Sequence, residues 1–174
     1  MQIDGCIWRV LLFLVVSFCH PAFGDDGVWA YGRAQEGEAG FVISKADSQV
    51  LVGDLAHEAK FCDGRKFYCV ESDIFSFRVP SRGGQWHSWR DARYEYRSLG
   101  TETVRVNEIR TLVTVVQLVG EHDGLHVRFL YSKTRGLVGV EFREKGKKKT
   151  ALLRGICGFP FLGNRSDGCR FPKK

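Results

Sequence analysis

Proline is scarce in this chain, with four in 174 residues, and methionine occurs once. No apolar run approaches the roughly twenty residues that a membrane-crossing helix needs. These shortages exclude a collagen-like chain, a proline-rich disordered tail and a polytopic helical membrane protein. Internal repeats, linkers and low-complexity tracts are also lacking, so one domain is expected. Common catalytic signatures are missing too. There is no Gly-x-Ser-x-Gly elbow, no His-Glu-x-x-His and no phosphate-cradling glycine loop, and Arg82-Gly83-Gly84 reads more simply as a turn. Cys-x-x-Cys spacing, the usual mark of a thiol metal site or a redox pair, does not occur.

What the chain does contain begins with an export signature. A basic residue, Arg9, precedes an apolar stretch from Val10 to Cys19, and Pro21, Ala22 and Gly24 follow. That is the layout of a cleavable signal peptide, placing residues 1–24 outside the fold and the mature protein in the periplasm or the extracellular space. A lipid anchor at Cys19 is the rival reading, disfavoured by the bulky Phe18 before it. Residues 25–174 then form a single domain with no transmembrane segment. It is long enough for a core to support it, because a domain of this size buries roughly 70% of the surface its unfolded chain exposes.

Four cysteines lie beyond the leader, in two close pairs: Cys62 with Cys69, and Cys157 with Cys169. An even count in an exported chain predicts two disulfides, and local pairing is the simplest of the three connectivities. The segment Cys62–Cys69 reads as strand, turn, strand. A turn centred between Arg65 and Lys66 sets the two sulfurs directly across a hairpin, whereas a tight Asp63-Gly64 turn does not. The second pair closes the loop 157–169, which has neither helical nor strand periodicity.

Alternation of period two dominates the rest. It runs through Phe41 and Ile43, Phe75 to Val79, Val104 to Val106, Leu125 to Tyr131 and Val138 to Phe142. Thr111 to Val119 is apolar on both faces and reads as a central strand. The connections Glu121–Gly124, Ser132–Gly136 and Lys145–Lys149 are too short for parallel crossovers, so from Val104 to Ile156 four consecutive antiparallel strands are expected. Asp47–Lys60 and Trp86–Tyr96 mix helical and strand features, with strand favoured from Tyr94 onward. The predicted fold is therefore mainly β: a single curved antiparallel meander sheet or incomplete β-barrel of seven to ten strands, with at most one or two short helices. One face would pack on irregular segments.

Charge is segregated along the chain. Residues 25–77 carry a net −5, residues 78–140 a net +4 and residues 141–174 a net +7. The densest basic cluster is Arg143, Lys145, Lys147, Lys148 and Lys149 at a predicted hairpin tip. Such a cluster suits an anionic envelope component or an acidic protein surface, or it is a solvated turn that guards a strand pair from aggregation. An aromatic and basic stretch, Trp86, Trp89, Arg90, Arg93, Tyr94 and Tyr96, offers stacking surface or core aromatics edged by arginines. Export argues against nucleic acid as the partner.

The leading expectation is a non-enzymatic binding protein, including an inhibitor of a protein partner, that contacts its target through these two clusters and needs no cofactor or metal. The alternatives are a small exported hydrolase using His122, His126 or His87 with a carboxylate, and a carrier of an apolar ligand inside the curved sheet.

Overall fold

The computed structural model describes residues 27–32, 40–62, 64–81, 86–120 and 125–160. The leader and Cys169 lie outside the described residues. Thirteen strands and no helix are found among the described ones. In chain order they are β1 (Val28–Gly32), β2 (Phe41–Ser44), β3 (Gln49–Val52), β4 (Leu55–Glu58), β5 (Lys60–Phe61), β6 (Phe67–Glu71), β7 (Ser76–Pro80), β8 (Ser88–Arg90), β9 (Glu95–Val106), β10 (Ile109–Val119), β11 (His126–Ser132), β12 (Gly136–Glu144) and β13 (Lys147–Leu153).

Ten of them form one antiparallel sheet in the order β4-β3-β2-β1-β13-β12-β11-β10-β9-β8, which is curved but not closed into a barrel. Apart from the pairing of β1 with β13, neighbours in space are neighbours in sequence, as short connections require. The two ambiguous segments are strands: Asp47–Lys60 supplies β3 and β4, and Trp86–Tyr96 supplies β8 and the start of β9. Asn107–Glu108 and Lys145–Gly146 turn their hairpins with positive φ at both positions. Such turns match the twist of the strands they join.

The covering layer differs from the expectation. A second sheet, β5-β6-β7, lies over one face of the large sheet in place of irregular chain. Alternation in Phe75–Val79 marks a strand but carries no information about which sheet the strand joins. Phe77 is fully buried, with its ring centroid 5.0 Å from Phe129, 6.1 Å from Tyr131 and 6.2 Å from Phe159. Phe75 reaches Phe41 and Phe129 beside it. These aromatic contacts are the centre of the core.

Polar links lock the two sheets together. Tyr96 Oη donates to Asp91 (3.1 Å), so its oxygen is left to accept from Ser76 of β7 (2.7 Å). Trp89 Nε1 donates to the Arg78 carbonyl (3.0 Å), and Arg78 pairs with Glu71 and lies 3.6 Å from Asp91. Burial raises the Tyr96 hydroxyl far above the ordinary phenol range.

The Cys62–Cys69 disulfide closes the β5–β6 hairpin with its Cα atoms 5.0 Å apart. The registers Lys60↔Glu71 and Phe61↔Val70 centre the turn between Arg65 and Lys66, the arrangement that direct cross-strand bonding demands. Cys157 is also disulfide-bonded. The segment around it is tied into the core: Gly158 N donates to Arg135 O, and Leu137 N donates to Phe159 O. The fit is close, since a Cβ on Gly158 would stand 1.7 Å from the Leu137 carbonyl oxygen. Tyr31 Oη completes the seam, donating to Leu137 O and accepting from Phe159 N, both at 3.1 Å.

Candidate functional site

Strand register decides how the basic cluster is presented. A two-residue turn takes only Lys145 and Gly146, so Lys147, Lys148 and Lys149 belong to β13 and alternate between faces. The five cations are therefore not one patch at a hairpin tip. Arg143 and Lys148 are directly opposed and share the face turned away from the small sheet, here called the outer face. Lys147 and Lys149 point the other way, Lys149 opposite the partly buried Phe142.

Following the register across the sheet, the outer face gathers residues from distant parts of the chain. One row runs Ser88, Arg97, Gln117, Arg128, Glu141 and Thr150. Beside it, Arg90 is opposed to Glu95, and His126 to Arg143, which is opposed to Lys148. Neighbouring strands lie about 4.8 Å apart, so these six strands span roughly 24 Å. Five basic side chains (Arg90, Arg97, Arg128, Arg143 and Lys148) meet two carboxylates on this surface. Glu95 is held below the usual carboxylate range by hydrogen bonds from Arg90 and Arg97. Glu141 pairs with Lys148. Among the described residues no carboxylate pairs with Arg128 or Arg143. A shallow depression of about 180 Å³ lies between Gln117, His126, Arg128, Glu141, Arg143 and Lys148.

The aromatic stretch divides by the same rule. Trp89 and Tyr96 are opposed across β8 and β9 on the inner face, with parallel rings 5.8 Å apart. Tyr96 is fully buried and hydrogen-bonded, which removes it from the set of ligand-contacting candidates. Its place in the alternation before Ser98 is equally that of a core residue. Arg90 reaches the outer face, while Arg93 is exposed in a turn that Asp91 organises by accepting the Arg93 and Tyr94 amides at 2.7 Å. Tyr94 is half-buried. Trp86 is also half-buried, 5.8 Å from Trp89 and 5.9 Å from Tyr131, and it walls a broad concavity.

That concavity is an open groove of about 1010 Å³ along the far half of the β9–β10 hairpin. Its apolar lining includes Trp86, Leu99, Ile109, Leu112, Val113 and Tyr131, and Thr101, Thr114, Ser132 and Thr134 add hydroxyls. Arg110, Lys133 and Arg135 are its strong cations, and no carboxylate occurs among the described lining residues. A bulge creates this half. Val115 is opposed to Gly100 and Val116 to Ser98, leaving Leu99 as the extra residue, and Gly100 has φ +113°. Bulges bend a strand and increase its twist. Before the bulge Tyr96 and Val116 are buried; beyond it Val106, Thr111 and Val113 are buried, and Leu112 is 66% exposed.

Among the described residues the histidines do not converge. His126 stands exposed on the outer face and His87 at the groove; His57 on β4 is 3.0 Å from Asp73. His122 lies outside the described residues. Among the described residues the one grouping of metal-ligand types is Cys62, Cys69 and Glu71, and the disulfide consumes both sulfurs. Metal binding needs thiolates, so no metal centre forms there.

Arg97, Arg128 and Arg135 were not singled out from the sequence. Arg97 and Arg128 alternate with core residues, so the period-two pattern already held them on the outward side. Arg135 carried no such signal, sitting in a segment that reads as a polar turn. Comparison of the chain with protein-family models, curated proteins and solved structures finds no match.

Proposed function

We propose that the protein is an exported, non-enzymatic binding protein that docks an anionic envelope surface against the outer face of its large sheet. The observation that carries this reading is the cross-strand array of Arg90, Arg97, Arg128, Arg143 and Lys148. Residues from five separate strands meet there with two carboxylates between them. A broad, gently curved cationic face fits an extended polyanion better than a small ligand, because each contact is weak and screened while their sum is not. The disulfide at Cys62–Cys69 supports an oxidising destination. The scatter of His57, His87 and His126, the described histidines, favours binding over hydrolysis.

The test is co-sedimentation of the mature chain with phosphatidylglycerol vesicles and with phosphatidylcholine vesicles, at low and at near-physiological salt. Binding is expected for the anionic vesicles alone and should fall steeply as salt rises. The double reversal Arg143→Glu/Lys148→Glu should weaken it at least about tenfold. Lys147→Glu/Lys149→Glu changes net charge equally but acts on the other face, and should weaken it far less. Equal losses from the two double variants would mean that net charge and not this face attracts the vesicle, and would defeat the reading.

A further inference from the structure

Two arginines of the core region are treated in opposite ways. Arg78, between the sheets, has Glu71 and Asp91 beside its guanidinium. Arg135, in the β11–β12 turn, is only 6% exposed and has no ion-pair partner among the described residues. Its Nε donates to Ile156 O (2.7 Å) and its Nη1 to Val106 O (3.5 Å) and Thr111 Oγ1, all uncharged acceptors. Its Nη2 is buried with no hydrogen-bond partner among the described residues. Burying an arginine in this way is costly unless an anion compensates it, and buried charges in proteins are nearly always paired. Loss of hydration lowers the guanidinium's pKa from its ordinary value, the same penalty seen from the side of protonation.

The groove beside Arg135 supplies the rest of a site. Arg110 and Lys133 add charge of the same sign, and no described lining residue opposes them. Leu112 and Leu99, 66% and 44% exposed, lie in the same groove with Trp86, an apolar surface that no described residue covers. A purely ionic ligand leaves that surface wet, and a purely apolar one leaves Arg135 unpaired. The volume of about 1010 Å³ stands at the upper end of the range for small-molecule sites, about 300–1,000 Å³.

We infer that this groove binds an amphiphilic anion, a single acyl or alkyl chain ending in a carboxylate or phosphate. The charged group is held by Arg135, Lys133 and Arg110, and the chain packs along Trp86, Leu99 and Leu112. This site is separate from the outer face and does not depend on the docking role proposed for it. It also differs from an enclosed apolar cavity, because it is open and charged at one end.

The experiment is isothermal titration of the mature protein with dodecyl phosphate and with dodecanoate, each below its micelle concentration. Dodecyl maltoside and inorganic phosphate serve as probes of the chain alone and the charge alone. Saturable binding near one to one is expected for at least one dodecyl anion, at least about tenfold tighter than either control. The tighter of the two identifies the natural head group as carboxylate or phosphate. Leu112→Glu, at an exposed position, should cut affinity at least tenfold without shifting the melting temperature, and exposed Lys133→Glu should cut it severalfold. Arg135→Gln should abolish charge selectivity if the protein remains folded; the two surface variants keep the test decisive if it does not. Arg143→Glu/Lys148→Glu, on the outer face, should leave the titration unchanged. Equal affinity for the maltoside, equal affinity for inorganic phosphate, indifference to Leu112→Glu, or no binding at all would each overturn the inference.

Discussion

The two ends of the β9–β10 hairpin are one continuous strand pair with opposite fates. Near its base, Tyr96 and Val116 are fully buried, and the Tyr96 hydroxyl is bonded to Ser76 of the small sheet above it. Past the bulge at Gly100 the same two strands stay paired with their register shifted by one residue, and Leu112 and Leu99 lie in the open. The difference is not in the strands. It lies in what covers them: the small sheet packs over the base, whereas on the far half Thr111 and Val113 are buried and Leu112, which alternates with them, is left open. A sheet face is thus made into core or into binding surface by its neighbour, and the bulge is the point at which one role gives way to the other.

Truncating the covering layer tests the base of that comparison with the largest effect. Phe77 is fully buried between Phe129, Tyr131 and Phe159. Phe77→Ala removes the ring and leaves a cavity that the surrounding aromatic side chains fill only in part. The expected loss is about 3–5 kcal/mol of unfolding free energy, measured by urea denaturation. A loss below about 1 kcal/mol would mean that the small sheet rests on the large one without holding it.

The junction itself comes next in size. Gly100 has φ +113°, outside the region that an L side chain adopts without strain, and a Cβ there would meet nothing within 4 Å. Gly100→Ala therefore tests backbone conformation with no steric component. It should cost about 1–3 kcal/mol, read from the same denaturation midpoint. A neutral result would show that the bulge relaxes freely and that the switch in burial along β10 does not depend on it.

Strand content and order were legible in the sequence because both follow from local rules. Phe41 and Ile43, Val127 to Tyr131 and Val138 to Phe142 alternate as half-buried strands must, and connections of a few residues leave antiparallel neighbours as the simplest outcome. Pairing Cys62 with Cys69 followed from the same counting. What remained hidden was long-range. The union of β1 with β13 joins residues more than a hundred positions apart, and Phe75–Val79 looks the same whether it extends the large sheet or lies across it. The candidate surfaces show the same limit. Lys147, Lys148 and Lys149 looked like one cluster because they are adjacent, but adjacency in a strand separates side chains, and the cation beside Lys148 is Arg143 across the turn. Arg135 was invisible because its significance comes from the lack of a partner, and partners belong to the folded chain.

The smallest expected effect sharpens the comparison most. Leu112 and Phe77 are both large apolar residues in the middle of β-strands, and sequence alone gives no reason to treat them differently. At 66% exposure Leu112 contributes little to the folded state, and threonine suits an exposed strand position as well as leucine does. Leu112→Thr should therefore shift unfolding free energy by less than about 0.5 kcal/mol. A cost approaching that of Phe77→Ala would mean that Leu112 is covered in solution, by the undescribed parts of the chain or by a second copy. A neutral change would leave the far half of the hairpin as a surface maintained for something other than stability, since an exposed leucine on an open strand adds aggregation risk and little else to the protein that carries it.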